Sequence, residues 1–402
     1  MFSVARNIHH IPHAQKLSKN LFFLPTLKQP SFYNKPALST YFRHFQSFSE
    51  KDREGKNVKD QIYALSHRLQ DQDALSRISL TNLKEIAKTV RPRWLDDDKI
   101  RKFFLSLHQF HFERLLKHTP EIFEFEKFLF LFHWGQIFLD FQKKDNVLRR
   151  YTDLLEKDEN SQLDSRTIYT YCKTLNYLAS ICYSTSAELK GPLNILYNKI
   201  SEFTSYDLYL MRAVIMVLNG IMLHEDLAPF TKHIEDFLGI LEKFDFSDER
   251  FANMALFTLE NYKVLLQDNE SLSSIIKACL DKIPLKEYMR IGAEDSNTQR
   301  KIASILVNLG YLIQQEEIIG IYSVDFLLRP KLVLEYHGTS HYYLNRQEMI
   351  KLHQVKVRVL QKMGYYVQVI PHFEWSVLEG KQRQETYLNE IIYEPFYKYE
   401  SR

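Results

Sequence analysis

From Leu69 to Leu285, apolar residues recur three and four positions apart, with few turn residues between them. Leu83, Ile86, Ala87 and Val90 form one such set, Phe103, Phe104, Leu107 and Phe110 a second, and Met254, Leu256, Leu259 and Tyr262 a looser third. This is the period of helices that bury one face, not the alternation of strands. Four helix starts look alike, each a hydroxyl residue leading a polar or acidic turn: Thr119-Pro-Glu, Ser165-Arg-Thr, Ser205-Tyr-Asp and Ser247-Asp-Glu. A hydroxyl at the N-cap accepts an orphan backbone N–H, and acids in the first turn suit the helix dipole. Counted from Thr81, these starts recur at nearly even steps. Each step has the length of a helix–turn–helix unit in an α-solenoid, although an irregular bundle would share the periodicity. A helical-repeat domain is therefore expected over 50–285, with Trp94 and Trp134 in its core.

Beyond Leu285 the pattern changes. A helix is predicted over Thr298–Leu309, closed by Gly310, followed by strands at Tyr311–Gln314, Ile321–Leu328 and Lys331–Tyr336, with Arg329-Pro330 as a turn. A loop over His337–Asn345 leads into a helix over Arg346–Met363, stopped at Gly364. A strand at Tyr365–Ile370 and closing helices through Tyr393 complete an α-β-β-β-α-β-α order, which implies an α/β sandwich on a mixed sheet over about 293–395. The fold class is thus mostly α, a solenoid-like body followed by a small α/β domain.

Charge changes this picture at one end. Residues 1–49 contain no acid but carry Arg6, Lys16, Lys19, Lys28, Lys35 and Arg43, the composition of a mitochondrial transit peptide. A basic tail without that purpose is the alternative. Without those six charges the net +3 becomes about −3, so nucleic-acid binding would have to use a local patch rather than global basicity. Cys172, Cys182 and Cys279 show no CxxC pairing and are expected as buried thiols. No run of ~18 apolar residues proposes a membrane span.

The C-terminal segment carries the most specific signal. Tyr322-Ser-Val-Asp-Phe-Leu-Leu, Leu334-Glu-Tyr-His-Gly-Thr-Ser-His, Lys356-Val-Arg-Val-Leu, Met363-Gly-Tyr-Tyr-Val, Ile370-Pro and Trp375 follow in order within this domain. Together they resemble a RAP domain, a family typical of organellar RNA-processing proteins in apicomplexans and of the FASTK group in animals. The residues most alike are Asp325, Glu335, Gly338, His341, Lys356, Arg358, Gly364, Tyr365 and Trp375, and His337 stands where the family commonly has an acid. The resemblance implies RNA association in mitochondria or plastids, and a restriction-endonuclease-like scaffold.

Two sets of residues follow as candidate chemistry. Asp325 and Glu335 on neighbouring strands can bring two carboxylates together, a pair that suits Mg²⁺ in phosphodiester cleavage. His337, His341 and Lys356 would then assist as base or charge stabiliser, His337 standing where such nucleases usually place a lysine. The alternative is structural: Asp325 bonding backbone, Glu335 pairing with Lys356 or Arg358, and no cofactor. The second set is the helix bearing Arg346, Lys351, Lys356, Arg358 and Lys362 against one acid, Glu348. Lys351, Arg358 and Lys362 share a stripe at spacings of seven and four, a candidate for RNA phosphate unless it is an ordinary solvated face. Leu352, Val359 and Met363 form the adjoining apolar stripe, expected against the sheet. Basic and acidic residues otherwise balance at 13 each from residue 293 onward.

Three functions are compatible with these features. The leading one is a mitochondrial-matrix RNA-binding protein in RNA processing, stability or ribosome assembly, with rRNA or mRNA as partner. The others are a metal-dependent endoribonuclease and a structural subunit of a mitochondrial ribosome or other ribonucleoprotein, bound to ribosomal proteins.

Overall fold

Short carboxylate and amide side chains, rather than the expected hydroxyls, set the helix starts. In a computed structural model that describes residues 84, 87, 97–117, 121–284, 296–328 and 331–400, the caps are Asp140, Asp164, Asp207, Asp248 and Asn269. Each accepts a backbone N–H three residues on, as an N-cap should. Ser165 is the first helical residue, while Ser205 and Ser247 precede their caps. An ionised carboxylate both accepts the N–H and offsets the positive helix end, so it outcompetes a hydroxyl close by. Two hydroxyl caps stand apart, Thr185 in a full capping box with Glu188 and Ser296 in one with Gln299. Residues 1–49, Thr81, Trp94, Thr119 and the Arg329-Pro330 turn lie outside the described residues.

The helices are α1 (Asp98–Lys117), α2 (Ile122–Trp134), α3 (Phe141–Lys157), α4 (Ser165–Ile181), α5 (Ser186–Ser201), α6 (Leu208–Met222), α7 (Thr231–Leu241), α8 (Glu249–Leu265) and α9 (Glu270–Lys282). They form two layers. α2, α4, α6 and α8 pack side by side in one, and α3, α5, α7 and α9 in the other. The caps Asp164, Asp207 and Asp248 recur at nearly even steps, close to the period read from the sequence. Side-chain bonds between equivalent helices keep that step: Lys144 to Glu188 at 2.6 Å, His233 with Asn194 at 3.0 Å, and Thr258 to Asn219 at 2.9 Å. The body is thus built as stacked helical hairpins, each covering the apolar face of the last. α6 is apolar all round and buried from Ala213 to Met222, as a central helix should be. Gly220 faces α4, where a Cβ would sit 3.4 Å from the Asn176 Cα. Trp134, Cys172, Cys182 and Cys279 are buried, the cysteines as free thiols. No helix among the described residues is long and apolar enough to cross a membrane.

The C-terminal domain follows the predicted order. α10 (Asn297–Asn308) ends at Gly310, whose φ of 87° is the left-handed stop expected of it. Strands β1 (Ile313–Ile319), β2 (Tyr322–Leu328), β3 (Leu332–His337) and β4 (Tyr366–Pro371) form one sheet in sequence order. β1–β2 and β2–β3 are antiparallel and β3–β4 parallel. α11 (Lys351–Lys362) makes the crossover between β3 and β4, and the short α12 (His372–Trp375) and long α13 (Lys381–Glu400) follow. α10 and α13 cover one face, where Ile302, Leu306, Phe326, Leu328, Leu334, Trp375 and Leu388 pack together. On the other face Leu360 of α11 meets Ile319, Val324 and Val333.

The candidate phosphate stripe is placed differently from expectation. α11 begins at Lys351, not Arg346, and the stripe residues Lys351, Arg358 and Lys362 turn toward the helical body. The Lys351 ammonium is buried, donating to the Cys182 carbonyl at 2.6 Å just past the end of α4. Arg358 donates to the carbonyls of Met222 (2.7 Å), His224 (2.5 Å) and Glu225 (2.9 Å) at the end of α6. Lys362 reaches Asp268, just past α8, at 2.5 Å. The loop before α11 treats the end of α2 likewise, with Leu344 N–H to the Gln136 carbonyl at 2.8 Å and Asn345 paired to both backbone groups of Phe138. Val355 and Val359, with Leu352 beside them, pack with the body's core, so the apolar stripe faces mainly the body and only Leu360 faces the sheet core alone.

Arg358→Ala should therefore destabilise the chain by on the order of 3 kcal/mol, the contribution of one or two charge-assisted hydrogen bonds left unmade. Urea unfolding followed by circular dichroism measures it. A cost within about 0.5 kcal/mol, typical of a surface position, would mean that the contact contributes nothing.

Candidate functional site

β2 and β3 are paired by backbone only from Leu328↔Leu332 to Phe326↔Leu334. One step further the strands part and carboxylates bridge the gap. The Tyr336 N–H donates to Asp325 Oδ2 at 2.8 Å, and the Asp325 N–H approaches Glu335 Oε1 at 3.4 Å. The inward face of β2 also changes here: Val324 lies on the α11 side, whereas Phe326 and Leu328 lie on the α10/α13 side. Opposite, Glu316 of β1 takes a positive φ of 51°, a conformation costly to a non-glycine residue.

Lys356 of α11 closes the corner. It donates to Glu335 Oε2 at 2.7 Å and to the Ser323 carbonyl at 2.8 Å. Glu335 is buried at 3% exposure, so this partner is what makes its charge tolerable. Burial first, and the neighbouring Glu335 charge second, push the Asp325 carboxyl up to about 8. Asp325 thus holds its proton at neutral pH.

His337 follows Glu335 on the same face of β3. The turn Gly338–His341 and the start of α11 bring two more imidazoles to it. Ring centroids of His337 and His341 are 4.4 Å apart, of His341 and His353 4.2 Å, and of His337 and His353 5.5 Å. His337 is 1% exposed. Burial holds His337 down to about 2 and His341 to about 3, and carries His353 well below its ordinary value. All three are neutral at physiological pH.

The structure thus brings together Asp325, Glu335, His337, His341 and Lys356, the group expected from the sequence. It adds His353, which the sequence reading missed; the closeness of His337, His341 and His353 along the chain was the available signal. It separates this corner from Lys351, Arg358 and Lys362, whose cations serve the body. Arg346, over the Phe138 ring at 4.3 Å and near Glu348, keeps partial exposure. For Mg²⁺ the acid pair is poorly prepared. Asp325 Oδ2 and both Glu335 oxygens already accept, and Asp325 would have to ionise against burial.

The RAP domain family matches residues 334–391, from β3 through α13. A rice (Oryza sativa subsp. japonica) protein named "RAP domain-containing protein, chloroplastic" is 31% identical over 98 residues. That segment is 24% of this chain and 15% of the rice protein, so the likeness concerns one domain and not the whole of either chain.

Two pH effects follow with opposite sign. The raised Asp325 favours the folded state at low pH and costs stability as pH rises from its unfolded value near 4 through about 8. The depressed histidines cost stability as pH falls below their unfolded value near 6.5. Asp325→Asn, which keeps an acceptor for the Tyr336 N–H, should flatten the alkaline decline in melting temperature and leave the acid limb alone. Glu335→Ala should cost about 3–5 kcal/mol by stranding the Lys356 cation. An Asp325→Asn profile that keeps the wild-type alkaline slope would reject the assignment of that proton.

Proposed function

We propose that this RAP-domain protein binds single-stranded RNA in an organelle, the mitochondrial matrix, and serves RNA processing, stability or ribosome assembly there. The observation that carries the reading is the RAP match over the sheet domain, a module associated with RNA binding. The organellar part rests on the rice relative's name and on the acid-free basic leader. Binding, not cleavage, is the activity favoured, because the acid pair is engaged in closing the β2–β3 gap and in holding Lys356.

Because Lys351, Arg358 and Lys362 are engaged with the body, we look for the contact surface elsewhere. The edge formed by the first turns of α2, α4 and α6 is the best candidate. Phe123 and Tyr209 are exposed there, at 36% and 43%. Arg166 lies over the Phe123 ring at 5.9 Å, and Tyr169 meets Tyr209 at 6.0 Å between centroids. Arg166 and Tyr169 share one face of α4. The result is a continuous aromatic ridge with one guanidinium, a platform on which bases can stack. Stacking contributes about 1–3 kcal/mol per base, so affinity here should depend only weakly on salt compared with a phosphate-tracking basic groove.

Crosslinking and sequencing of bound RNA in organello tests the function, and Phe123→Ala with Tyr209→Ala tests the surface. The double variant should bind RNA on the order of ten-fold more weakly, or worse, with its fold intact. Unchanged affinity would remove the ridge from consideration. Absence of crosslinked RNA would remove the function itself, and Mg²⁺-dependent cleavage abolished by Glu335→Gln would replace binding with nuclease activity.

A further inference from the structure

The corner at the end of β3 gathers three imidazoles, two of which carry buried nitrogens that neither the sheet nor the docking of the domain uses. One donor atom from each of His337, His341 and His353 lies within 4.8 Å of the others. The three come from different elements: the end of β3, the 3₁₀ turn Thr339–His341, and the first turn of α11. His337 is 1% exposed, yet neither of its ring nitrogens has a hydrogen-bond partner among the described residues, and His341 Nδ1 is likewise buried and unpartnered. Leaving a buried polar nitrogen unsatisfied costs about 1–3 kcal/mol, so an arrangement that leaves three of them so is waiting for a ligand.

We propose that His337, His341 and His353 bind one divalent transition-metal ion of the zinc class. The donor set selects the ion. Neutral imidazole suits zinc and its neighbours, whereas Mg²⁺ and Ca²⁺ require oxygen cages. Zinc–nitrogen bonds of about 2.0–2.1 Å in a tetrahedron place donors roughly 3.3 Å apart, so the rings must close by no more than about 1.5 Å from the widest separation. Glu335 Oε2 lies 3.9 Å from His337 Nε2, and its negative charge balances the nearby Lys356. A three-histidine site leaves a fourth position for water or an exogenous oxygen.

The ion would tie the end of β3, the turn and α11 together at the root of the loop that covers the end of α2. The site is independent of the acid pair's use in the sheet and of the RNA ridge on α2, α4 and α6. Its test therefore needs no RNA.

Full-length protein stripped with a chelator is titrated with Zn²⁺, and with Co²⁺ as a spectroscopic probe, by calorimetry and visible absorption. One equivalent should bind, raise the melting temperature and give the intense absorption of low-symmetry, four-coordinate Co²⁺. X-ray absorption of the zinc-loaded wild type should show a shell at about 2.0–2.1 Å with imidazole scattering from three rings, a readout that no folding defect of a variant can mimic. His337→Ala and His353→Ala should each weaken binding by at least about 100-fold, more than the loss of an outer-shell partner brings. His233→Ala, far along the body, should leave it unchanged. No zinc uptake, an oxygen-only shell, or binding that survives both corner variants would overturn the site.

Discussion

The molecule depends on how one helix meets the ends of several others. Each helix of the first layer ends with backbone carbonyls that have no intrahelical partner and carry the negative pole of the helix. In a solenoid these ends line up along one edge, an anionic rim built from backbone alone. α11 lies along that rim. Its residues 351 and 358 are two turns apart, about 10.5 Å. Neighbouring helices pack about 8–10 Å apart. A seven-residue spacing on α11 therefore matches one step of the repeat, and Lys351 serves the end of α4 while Arg358 serves that of α6. Lys362 continues to Asp268 beyond α8. Each such cation contributes about 0.3–2 kcal/mol through the dipole, more when partly buried, and the match of spacing lets the contributions act together.

This explains why the sequence disclosed the stripe but not its purpose. A cationic stripe at positions 351, 358 and 362 is a local property and can be read from helical periodicity. What it neutralises is a property of residues far earlier in the chain, and carbonyl groups have no sequence signature. Phosphate and helix C-terminus make the same demand on a cation. The same limit applies to the caps. Periodicity located the hairpins and their even step, but Ser165, Ser205 and Ser247 each stand beside or next-but-one to an aspartate that performs the capping instead. The succession of strands and helices, the stops at Gly310 and Gly364, and the closing helices were legible because turn chemistry and alternation are local.

The corner at the end of β3 shows a different limit. Grouping Asp325, Glu335, His337, His341 and Lys356 needed only the hairpin and the following helix. Their protonation needed burial, which no spacing conveys. Paired acids suggest Mg²⁺ when both are taken as ionised and open. Buried, with one held neutral and the other committed to Lys356, they close the gap where β2 and β3 diverge. His353 lies beyond that local grouping, because its ring meets His337 of β3 and His341 of the turn only once α11 has packed across them.

Burial reverses the ranking of the donors at this corner. Desolvation penalises a carboxylate by keeping its proton on and penalises imidazolium by keeping its proton off. The first effect blunts an oxygen ligand; the second sharpens a nitrogen ligand, since a neutral imidazole has a free lone pair. A low-dielectric pocket at the crossing of β3 and α11 thus disfavours hard, oxygen-seeking ions and favours ions that accept nitrogen. The same α11 presents basic groups to the rim of helix ends and His353 to the corner, so its position is fixed by both. Any ligand that tightened the histidine corner would draw on the same helix that meets the ends of α4 and α6.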